Sequence, residues 1–247
     1  MHFKKTLTQL GLIFGLAMST FHVNAASDTI RIVTDPTFPP MEFTKNGQRT
    51  GFDIELTEAL VAQMGKKLEW IDIDFKGLVP AVISGRADAA VSAIYITEAR
   101  REVVDFTDSY YAGGLVVLTK NDGPIKTLAD LDDKRVSVQV GTKSVNYLQN
   151  EYPKVKRVEV EKNEEMFNLV TIGRADAAVT GKPAAKMFAQ ATPGLVVIDE
   201  QITTEEYGIA VSKTQPELTQ AFNDAIKALK ANGTYDKIVN KWFEEAQ

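Results

Sequence analysis

Short apolar runs alternate with amphipathic segments through the first half of the chain. Residues 30–34 are β-branched and predict a strand, and residues 54–64 carry apolar side chains at helical spacing. Residues 68–73 alternate as a half-buried strand does, and residues 78–84 form a second helical segment. This strand–helix–strand–helix–strand order predicts an α/β fold with a mostly parallel sheet and helices on its faces.

The same order returns in the second half of the chain. Residues 135–138 and 155–160 predict strands, and residues 163–172 predict a helix. Between the two strands, another helix begins at the Gly-Thr-Lys-Ser sequence of residues 141–144. Backbone N–H groups at such a helix start are well placed to bind an anion.

An identical sequence, Gly-Arg-Ala-Asp-Ala-Ala-Val, occupies residues 85–91 and 173–179. Each copy follows a helical segment and predicts a small-residue strand that ends in a polar corner, Ser92-Ala93 in one half and Thr180-Gly181 in the other. Two such strand ends predict two similar halves that face each other across a cleft. The charged residues inside the repeats are expected to be structural, in local ion pairs or turn bonds: Arg86, Asp88, Arg174 and Asp176.

Three local features connect these segments. Asp53 precedes the first helix and is expected to cap it through its side chain. Residues 110–114 combine two tyrosines, an alanine and two glycines, which predicts a hinge between the halves. Residues 207–211 predict a single strand late in the chain.

The N-terminus has the pattern of a secretory signal peptide. Lys4 and Lys5 form a short basic region, an apolar run covers residues 10–18, and residues 23–25 offer a cleavage site before Ala26. A short membrane anchor is the alternative, although the run is brief for a spanning helix. Export of this kind predicts a periplasmic protein.

Composition excludes several classes of function. The chain has no cysteine, and both histidines, His2 and His22, lie in the signal peptide, so neither a metal nor a cofactor is expected. Removing the two lysines of the signal peptide changes the formal charge from −5 to −7, which argues against nucleic acid and anionic membranes as partners. No other segment is long and apolar enough to span a bilayer.

The usual enzymatic signatures are missing as well. There is no nucleophile elbow or HExxH motif, and residues 141–144 lack the upstream glycine of a phosphate-binding loop. In parallel sheets, ligands bind outside the carboxyl ends of the strands. Those ends supply the candidate site residues Asp35, Phe38, Phe75, Ser92, Ala93, Gln139, Thr142 and Thr180.

Three kinds of candidate also have an ordinary structural explanation. Asp35 could bind a cationic or amide group, or only form the turn before Pro36. Phe38 and Phe75 could flank a ligand side chain or belong to a core. Arg100 could bind a carboxylate through two N–H groups, or be a solvated residue of a helical turn.

Seven sequence features occur in a characteristic order. They are Thr34-Asp35 with Phe38-Pro39-Pro40-Met41-Glu42-Phe43, Gly51-Phe52-Asp53-Ile54, Asp74-Phe75 with Gly77-Leu78-Val79-Pro80-Ala81, Ile96-Thr97-Glu98-Ala99-Arg100, Phe106-Thr107 with Tyr110-Tyr111, Asn232-Gly233-Thr234-Tyr235, and Trp242-Phe243. Together they resemble the polar amino-acid-binding proteins of ABC importers, and the glutamine-, arginine- and histidine-binding members in particular. The resemblance covers residues 26–247 and implies a type II periplasmic binding fold, in which two α/β lobes are joined by two crossing strands.

The resemblance also implies roles for the candidate residues. Asp35 would bind the distal end of the ligand side chain, Phe38 and Phe75 would flank that side chain, and Arg100 would bind the α-carboxylate. The remaining implied contacts come from backbone and hydroxyl groups at Ser92, Ala93, Gly141, Thr142 and Lys143.

Two positions depart from the family's pattern. The family commonly has an Asp that binds the α-amino group where this chain has Gly181, and a Ser or Thr where this chain has Tyr95. Lys143 adds a positive charge near the site. The usual anchor for the α-amino group is thus missing. A plain α-amino acid is still the expected ligand, and an N-modified or dicarboxylic ligand is the alternative.

The implied organisation is a signal peptide at residues 1–25, a first lobe at 26–109 and 208–247, a second lobe at 115–202, and a hinge at 110–114 and 203–207. The implied protein is a monomer that captures a polar or basic amino acid (arginine, glutamine or histidine class) by hinge closure and delivers it to the membrane permease of an ABC transporter. It would have no catalytic residue and no membrane insertion of its own.

Two alternatives stay open. One is an enzyme on the same fold, resembling the periplasmic cyclohexadienyl dehydratases. Such an enzyme needs a general acid in the cleft, and the corner where one is expected holds only Thr180-Gly181-Lys182. The other is a ligand sensor for a membrane receptor.

Overall fold

The structure is a computed structural model that describes residues 28–244, so the signal peptide predicted at residues 1–25 lies outside the described part. The strands in that part are β1 (Thr29–Thr34), β2 (Thr37–Phe38), β3 (Glu42–Lys45), β4 (Gln48–Thr50), β5 (Lys67–Asp72), β6 (Ala89–Ala90), β7 (Asp105–Phe106), β8 (Tyr111–Ala112), β9 (Leu115–Lys120), β10 (Arg135–Gln139), β11 (Lys156–Val160), β12 (Ala177–Gly181), β13 (Leu195–Val197), β14 (Glu206–Tyr207) and β15 (Ala210–Val211). The helices are α1 (Phe52–Gln63), α2 (Leu78–Ile83), α3 (Glu98–Arg101), α4 (Lys143–Glu151), α5 (Asn163–Thr171), α6 (Lys182–Ala191), α7 (Pro216–Ala231) and α8 (Thr234–Val239). Shorter helical turns occur at Phe75–Gly77, Leu128–Leu131 and Asn240–Glu244.

The first lobe is built on a five-stranded sheet in the order β5-β1-β6-β15-β7. Successive residues of β1 point to opposite faces of this sheet, as strand geometry requires. Ile32 belongs to the buried cluster that contains Phe52 of α1 and Phe222 of α7, whereas Val33 belongs to the cluster that contains Leu78 of α2. Both faces of the sheet are therefore covered by helices.

The second lobe repeats this plan with a sheet in the order β11-β10-β12-β9-β13. In each sheet the three strands of the repeated strand–helix–strand–helix–strand order are parallel, but β15 and β9 run antiparallel to their neighbours. The expectation of mostly parallel sheets is therefore wrong for about half of the strand pairs. The reason is topological, because β9 and β15 each begin at the connection between the lobes and run away from it.

The two lobes are joined by a pair of short antiparallel strands, β8 and β14. The prediction of one strand over residues 207–211 is wrong here, because Gly208 and Ile209 separate β14 from β15. β14 pairs with β8 between the lobes, whereas β15 pairs with β6 and β7 inside the first lobe. Gly208 lies at this change of partner, where a Cβ atom would be only 2.8 Å from Cγ1 of Ile96.

The repeated sequences have matching structural roles in the two lobes. Asp88 accepts hydrogen bonds from the backbone N–H and the guanidinium of Arg31, both at 2.8 Å. Asp176 does the same with Arg135, at 2.8 and 2.7 Å. A structural role was expected for both acids. The partner of Asp88 is the third residue of β1, and the partner of Asp176 is the first residue of β10, so neither acid pairs with an arginine of its own repeat.

Asp53 does not cap α1, contrary to the prediction. The N-cap of this helix is Gly51, and Asp53 lies inside the first turn. Its Oδ2 atom accepts hydrogen bonds from the backbone N–H of Ala93, at 2.7 Å, and from the Tyr110 hydroxyl, at 2.9 Å. The carboxylate therefore ties α1 to the corner after β6 instead of to its own backbone.

Candidate functional site

The carboxyl ends of β1, β6, β10 and β12 meet at one small cavity between the two lobes. Eleven of the twelve candidate site residues line it: Asp35, Phe38, Phe75, Ser92, Ala93, Tyr95, Gln139, Thr142, Lys143, Thr180 and Gly181. The twelfth, Arg100, lies beside it, with its guanidinium carbon 5.7 Å from the centre of the Phe75 ring. The strand ends in the two halves thus converge on one place.

Asp35, at the end of β1, is the most heavily bonded side chain of the cavity. Its Oδ2 atom accepts hydrogen bonds from the backbone N–H of Phe75, at 3.1 Å, and from the Gln139 amide, at 2.8 Å. Its Oδ1 atom accepts from the Thr37 hydroxyl, at 3.1 Å, and from the Lys162 ammonium, at 3.3 Å. Burial raises the pKa of Asp35, and the nearby positive charge of Lys162 opposes that shift.

The amides of Gln139 and Asn163 extend this network through the second lobe. Gln139 accepts a hydrogen bond from Asn163 at 3.1 Å, and the same Asn163 amide also lies 3.3 Å from the Thr37 hydroxyl of the first lobe. Both amide side chains are buried and line the cavity. The two lobes are therefore joined here by direct hydrogen bonds between polar side chains.

Arg100 is held by neutral partners. Its guanidinium donates to the carbonyl oxygen of Tyr95, at 2.8 Å, and to that of Gly141 in the opposite lobe, at 3.3 Å. Within residues 28–244, no carboxylate lies within ion-pair distance of it. Arg100 is partly buried, and this burial lowers its pKa to about 10, because a charge that is shielded from water is less stable.

Behind Ser92 lies a pair of buried acids. The Ser92 hydroxyl donates to Glu42 at 2.7 Å and accepts from the backbone N–H of Asp35 at 3.2 Å. The other Glu42 oxygen and Oδ1 of Asp53 have no donor from any other described group. Burial and the adjacent Asp53 raise the pKa of Glu42 well above its usual range, so a proton on Glu42 can satisfy both oxygens.

The corner after the second repeat is filled by aromatic side chains. A Cβ atom on Gly181 would lie 2.5 Å from the Tyr207 hydroxyl, 3.1 Å from Cζ of Phe38 and 3.4 Å from the Tyr95 hydroxyl. The two tyrosine hydroxyls are 3.2 Å apart. The two departures from the family's pattern are thus linked in space, because Tyr95 and Tyr207 occupy the volume that any side chain at position 181 would need.

The start of α4 supplies the second-lobe wall of the cavity. Thr142 is the N-cap residue, and its hydroxyl donates to the carbonyl oxygen of Gln139 at 2.7 Å. Lys143 forms an ion pair with Glu205, next to the connecting strand β14. Burial lowers the pKa of Lys143, and the positive charge of Arg100 lowers it further. Two cations therefore lie close together on this side of the cavity.

Sequence reasoning missed several residues of the site. Glu42, Asn163 and Tyr207 line the cavity, and Lys162 reaches its Asp35. A signal for Lys162 and Asn163 was present, since they follow the end of β11 just as Gln139 and Thr180 lie at the ends of their strands. Tyr207 carried no such signal, because it reaches the cavity from the connection between the lobes.

No helix within residues 28–244 is both long and apolar enough to cross a membrane. No group of three or more acidic, histidine or cysteine side chains in the range could hold a metal ion.

Comparisons with known proteins agree with this geometry. The chain matches the family model for bacterial extracellular solute-binding proteins, family 3, over residues 30–245. It is 34% identical over 236 residues to the ABC transporter arginine-binding protein 1 of Escherichia coli strain K12, which covers 93% of this chain and 96% of that protein.

Two solved structures are similar over most of their length. An ancestral arginine-binding protein bound to glutamine is 38% identical with a TM-score of 0.84, over 88% of this chain and 99% of that one. An ancestral amino acid-binding protein, described as a precursor of cyclohexadienyl dehydratase, is 40% identical with a TM-score of 0.82, over 88% of this chain and 96% of that one.

Proposed function

Because the chain belongs to the bacterial extracellular solute-binding proteins, family 3, we propose that it captures a polar or basic amino acid and delivers it to an ABC transporter. Its two α/β lobes form the type II periplasmic binding fold that the sequence predicted. The ligand would lie in the cavity between the lobes, in contact with residues from both.

The observation that carries this proposal is the environment of Arg100. A guanidinium that is poorly solvated and bonded only to carbonyl oxygens lacks the counter-charge that a buried cation needs. A ligand carboxylate would supply that charge through two N–H groups. The start of α4 and Lys143 lie on the opposite wall, where their N–H groups and positive charge favour the same anion.

The mechanism proposed is closure about the β8–β14 connection. A ligand that bonds to Arg100 of the first lobe and to the α4 start of the second can make both sets of contacts only when the lobes are together. Binding therefore shifts the population towards the closed form, which is the established behaviour of periplasmic binding proteins. The predicted hinge segment 110–114 contains β8, and the predicted hinge segment 203–207 contains β14.

The proposed location is the periplasm, and the proposed partner is a membrane permease. The family is extracellular, and the signal peptide predicted at residues 1–25 provides a route of export. We propose that the mature protein acts as a monomer, since each part of the candidate site comes from a single chain.

We also propose that the protein does not catalyse a reaction. The likeness to a precursor of cyclohexadienyl dehydratase makes this worth testing, since such an enzyme would need a general acid. Two acids line the cavity, Asp35 and Glu42, and neither is left free for a substrate. Asp35 already accepts four hydrogen bonds, and the carboxyl of Glu42 is engaged by Ser92 and Asp53. Incubation with prephenate or arogenate should therefore give no aromatic product, and turnover of either would contradict this part of the proposal.

The function is tested by a thermal-shift panel on protein that has been unfolded and refolded to remove bound ligand. A ligand at 1,000 times its Kd stabilises the folded state by about 4 kcal/mol, which gives a clear rise in Tm. At least one polar or basic amino acid should produce this rise. Its decarboxylated analogue, agmatine for arginine, should not, because it lacks the group that Arg100 binds. A panel in which no amino acid raises Tm would contradict the proposal.

A further inference from the structure

Lys162 belongs to the second lobe, but its ammonium contacts carboxylates of the first lobe at the candidate site. It stands at the N-cap of α5, two residues after the end of β11. Its Nζ atom lies 2.6 Å from Oδ1 of Asp74 and 3.3 Å from Oδ1 of Asp35, both in the first lobe. The Asp35 side chain is only 1% exposed, so a nearly buried carboxylate receives its counter-ion from the protein itself.

The hydrogen bonds of Asp35 leave no place for a second cation. A carboxylate accepts about four hydrogen bonds, two at each oxygen. Asp35 already has four donors, namely Thr37, Phe75, Gln139 and Lys162. A ligand ammonium or guanidinium at this end of the cavity would have to displace one of them.

The charges around the cavity also argue against a ligand with a cationic side chain. Arg100, Lys143 and Lys162 are cationic. Glu205 is the partner of Lys143, Asp74 and Asp35 are both partners of Lys162, and the Glu42–Asp53 pair can hold a shared proton. A cationic side chain beside Asp35 would therefore lie next to the ammonium of Lys162 and compete with it for carboxylates that it already binds. Like charges brought together without compensation oppose binding.

Neutral polar groups are better placed to receive the ligand side chain. The amides of Gln139 and Asn163 are buried, line the cavity and lie next to Asp35. The N–H groups of Gln139 already donate to Asp35 and to the Glu161 carbonyl, and those of Asn163 donate to Thr37 and Gln139. Their amide oxygens can still accept, so the N–H groups of a ligand carboxamide can donate to them without a change in charge.

We infer that Lys162 fills the subsite beside Asp35 as a built-in cation, so that the ligand is an amino acid with an uncharged polar side chain, such as a carboxamide, and not arginine or lysine. The inference rests on the proposed amino-acid-binding function and narrows its ligand class. Lys162 is thereby a specificity-determining residue that repels a cationic side chain.

The test is the substitution Lys162→Met, which removes the ammonium but keeps an unbranched side chain. Titration calorimetry with L-glutamine, L-arginine and L-lysine would be performed on refolded wild type and variant. Wild type should bind L-glutamine more tightly than either basic amino acid. In the variant, Asp35 is freed for the ligand, and the affinity for L-arginine relative to L-glutamine should rise about ten-fold or more.

The matched control is Lys154→Met, the same change elsewhere in the second lobe, where the lysine pairs with Asp132. Its selectivity should equal that of wild type.

Wild-type protein that prefers L-arginine or L-lysine, or a Lys162→Met variant without the gain, would overturn the inference while leaving the amino-acid-binding function intact. If Lys162→Met does not unfold cooperatively, Lys162→Gln takes its place with the same expected gain. If neither wild type nor variant binds any amino acid in the panel, the proposed function fails and the inference fails with it.

Discussion

Arg100 is a cation that donates two side-chain hydrogen bonds to described neighbours but has no described carboxylate as a charge partner. Its two recorded acceptors are carbonyl oxygens, one from each lobe. Its bond to Gly141 can form only when the two lobes are close together. Arg100, a residue of α3, therefore has two roles: it bonds to the opposite lobe, and it is the proposed partner of the ligand carboxylate.

We predict that Arg100→Ala weakens binding of the best ligand from the amino-acid panel by about 2–5 kcal/mol, because the ligand carboxylate loses its charge partner. Titration calorimetry measures the loss. The control is Arg101→Ala, which removes the next arginine along the chain, an exposed side chain over the Phe106 ring. Unchanged affinity in Arg100→Ala would show that the carboxylate binds elsewhere.

Gly181 gives a second prediction about a single position. Gly181→Ala places a Cβ atom where Tyr207 and Phe38 already lie, so we expect a loss of stability of about 1–3 kcal/mol together with weaker ligand binding. Denaturant unfolding and calorimetry measure the two effects. Gly77→Ala is the control, since its Cβ atom would meet only Ile73 at an ordinary 3.5 Å. Equal stability of the two variants would mean that the tyrosines move aside easily.

Single residues differ in how far the sequence predicts them. Asp35 was a candidate because it follows β1, and the structure places it in the cavity. Its partner Lys162 was missed, because the pairing of two residues 127 positions apart depends on how the lobes meet. The same is true of Tyr207, whose overlap with position 181 is visible only in three dimensions.

The segments that follow β5 and β11 face each other, and each has an acid followed by a lysine. Asp74 and Lys76 follow β5, and Glu161 and Lys162 follow β11. Lys76 pairs with Glu161 at 2.5 Å, and Lys162 pairs with Asp74 at 2.6 Å. The two ion pairs cross between the lobes at the edge of the cavity, so they favour the closed arrangement and should be weakened by salt.

We predict that Lys76→Glu lowers ligand affinity a few-fold, because it places two acids opposite each other in the closed form. Adding Glu161→Lys restores opposite charges and should restore affinity. Calorimetry at low and high salt measures both, with the difference between variants shrinking as salt rises. A double variant that binds no better than Lys76→Glu would show that the pair does not contribute to closure.

Helices and strands could be predicted where their apolar residues recur at a clear helical or strand spacing. Helix α1 and strands β1 and β10 agree with their predictions within a few residues. The three-stranded sheet β2-β3-β4 was not predicted, because its strands are only two to four residues long and lie among prolines and polar residues. The antiparallel direction of β9 and β15 was not anticipated, because it is set by the connection between the lobes rather than by the residues of the strands.

For the molecule as a whole, the buried Glu42–Asp53 pair links stability to pH. Burial raises the pKa of Asp53 to about 6, and burial with Asp53 raises that of Glu42 further above its usual range. The folded state therefore keeps protons that the unfolded state releases above about pH 4. Because the folded state binds more protons, this contribution to stability is present at low pH and is lost as pH rises through 6 and beyond.

We predict that Glu42→Gln raises Tm relative to wild type at pH 8, with a difference that shrinks towards pH 5. The amide can accept from Ser92 and donate to Asp53 as the protonated acid does, but it has no proton to lose. Thermal unfolding of ligand-free protein at several pH values measures the difference. Glu58→Gln, an exposed position on α1, is the control. A difference in Tm that does not change with pH would contradict the shared proton.

The central claim, that an amino acid binds between two lobes which close around it, is tested most directly by small-angle X-ray scattering. Refolded wild-type protein would be measured without ligand and with the amino acid that raises Tm most, at about ten times its wild-type Kd. The account predicts a smaller radius of gyration with ligand in wild type and a much smaller change in Arg100→Ala at the same ligand concentration, where a loss of about 2 kcal/mol or more (about 30-fold in Kd) leaves most of the variant without ligand. Equal radii for wild type with and without bound ligand would contradict closure as the mechanism.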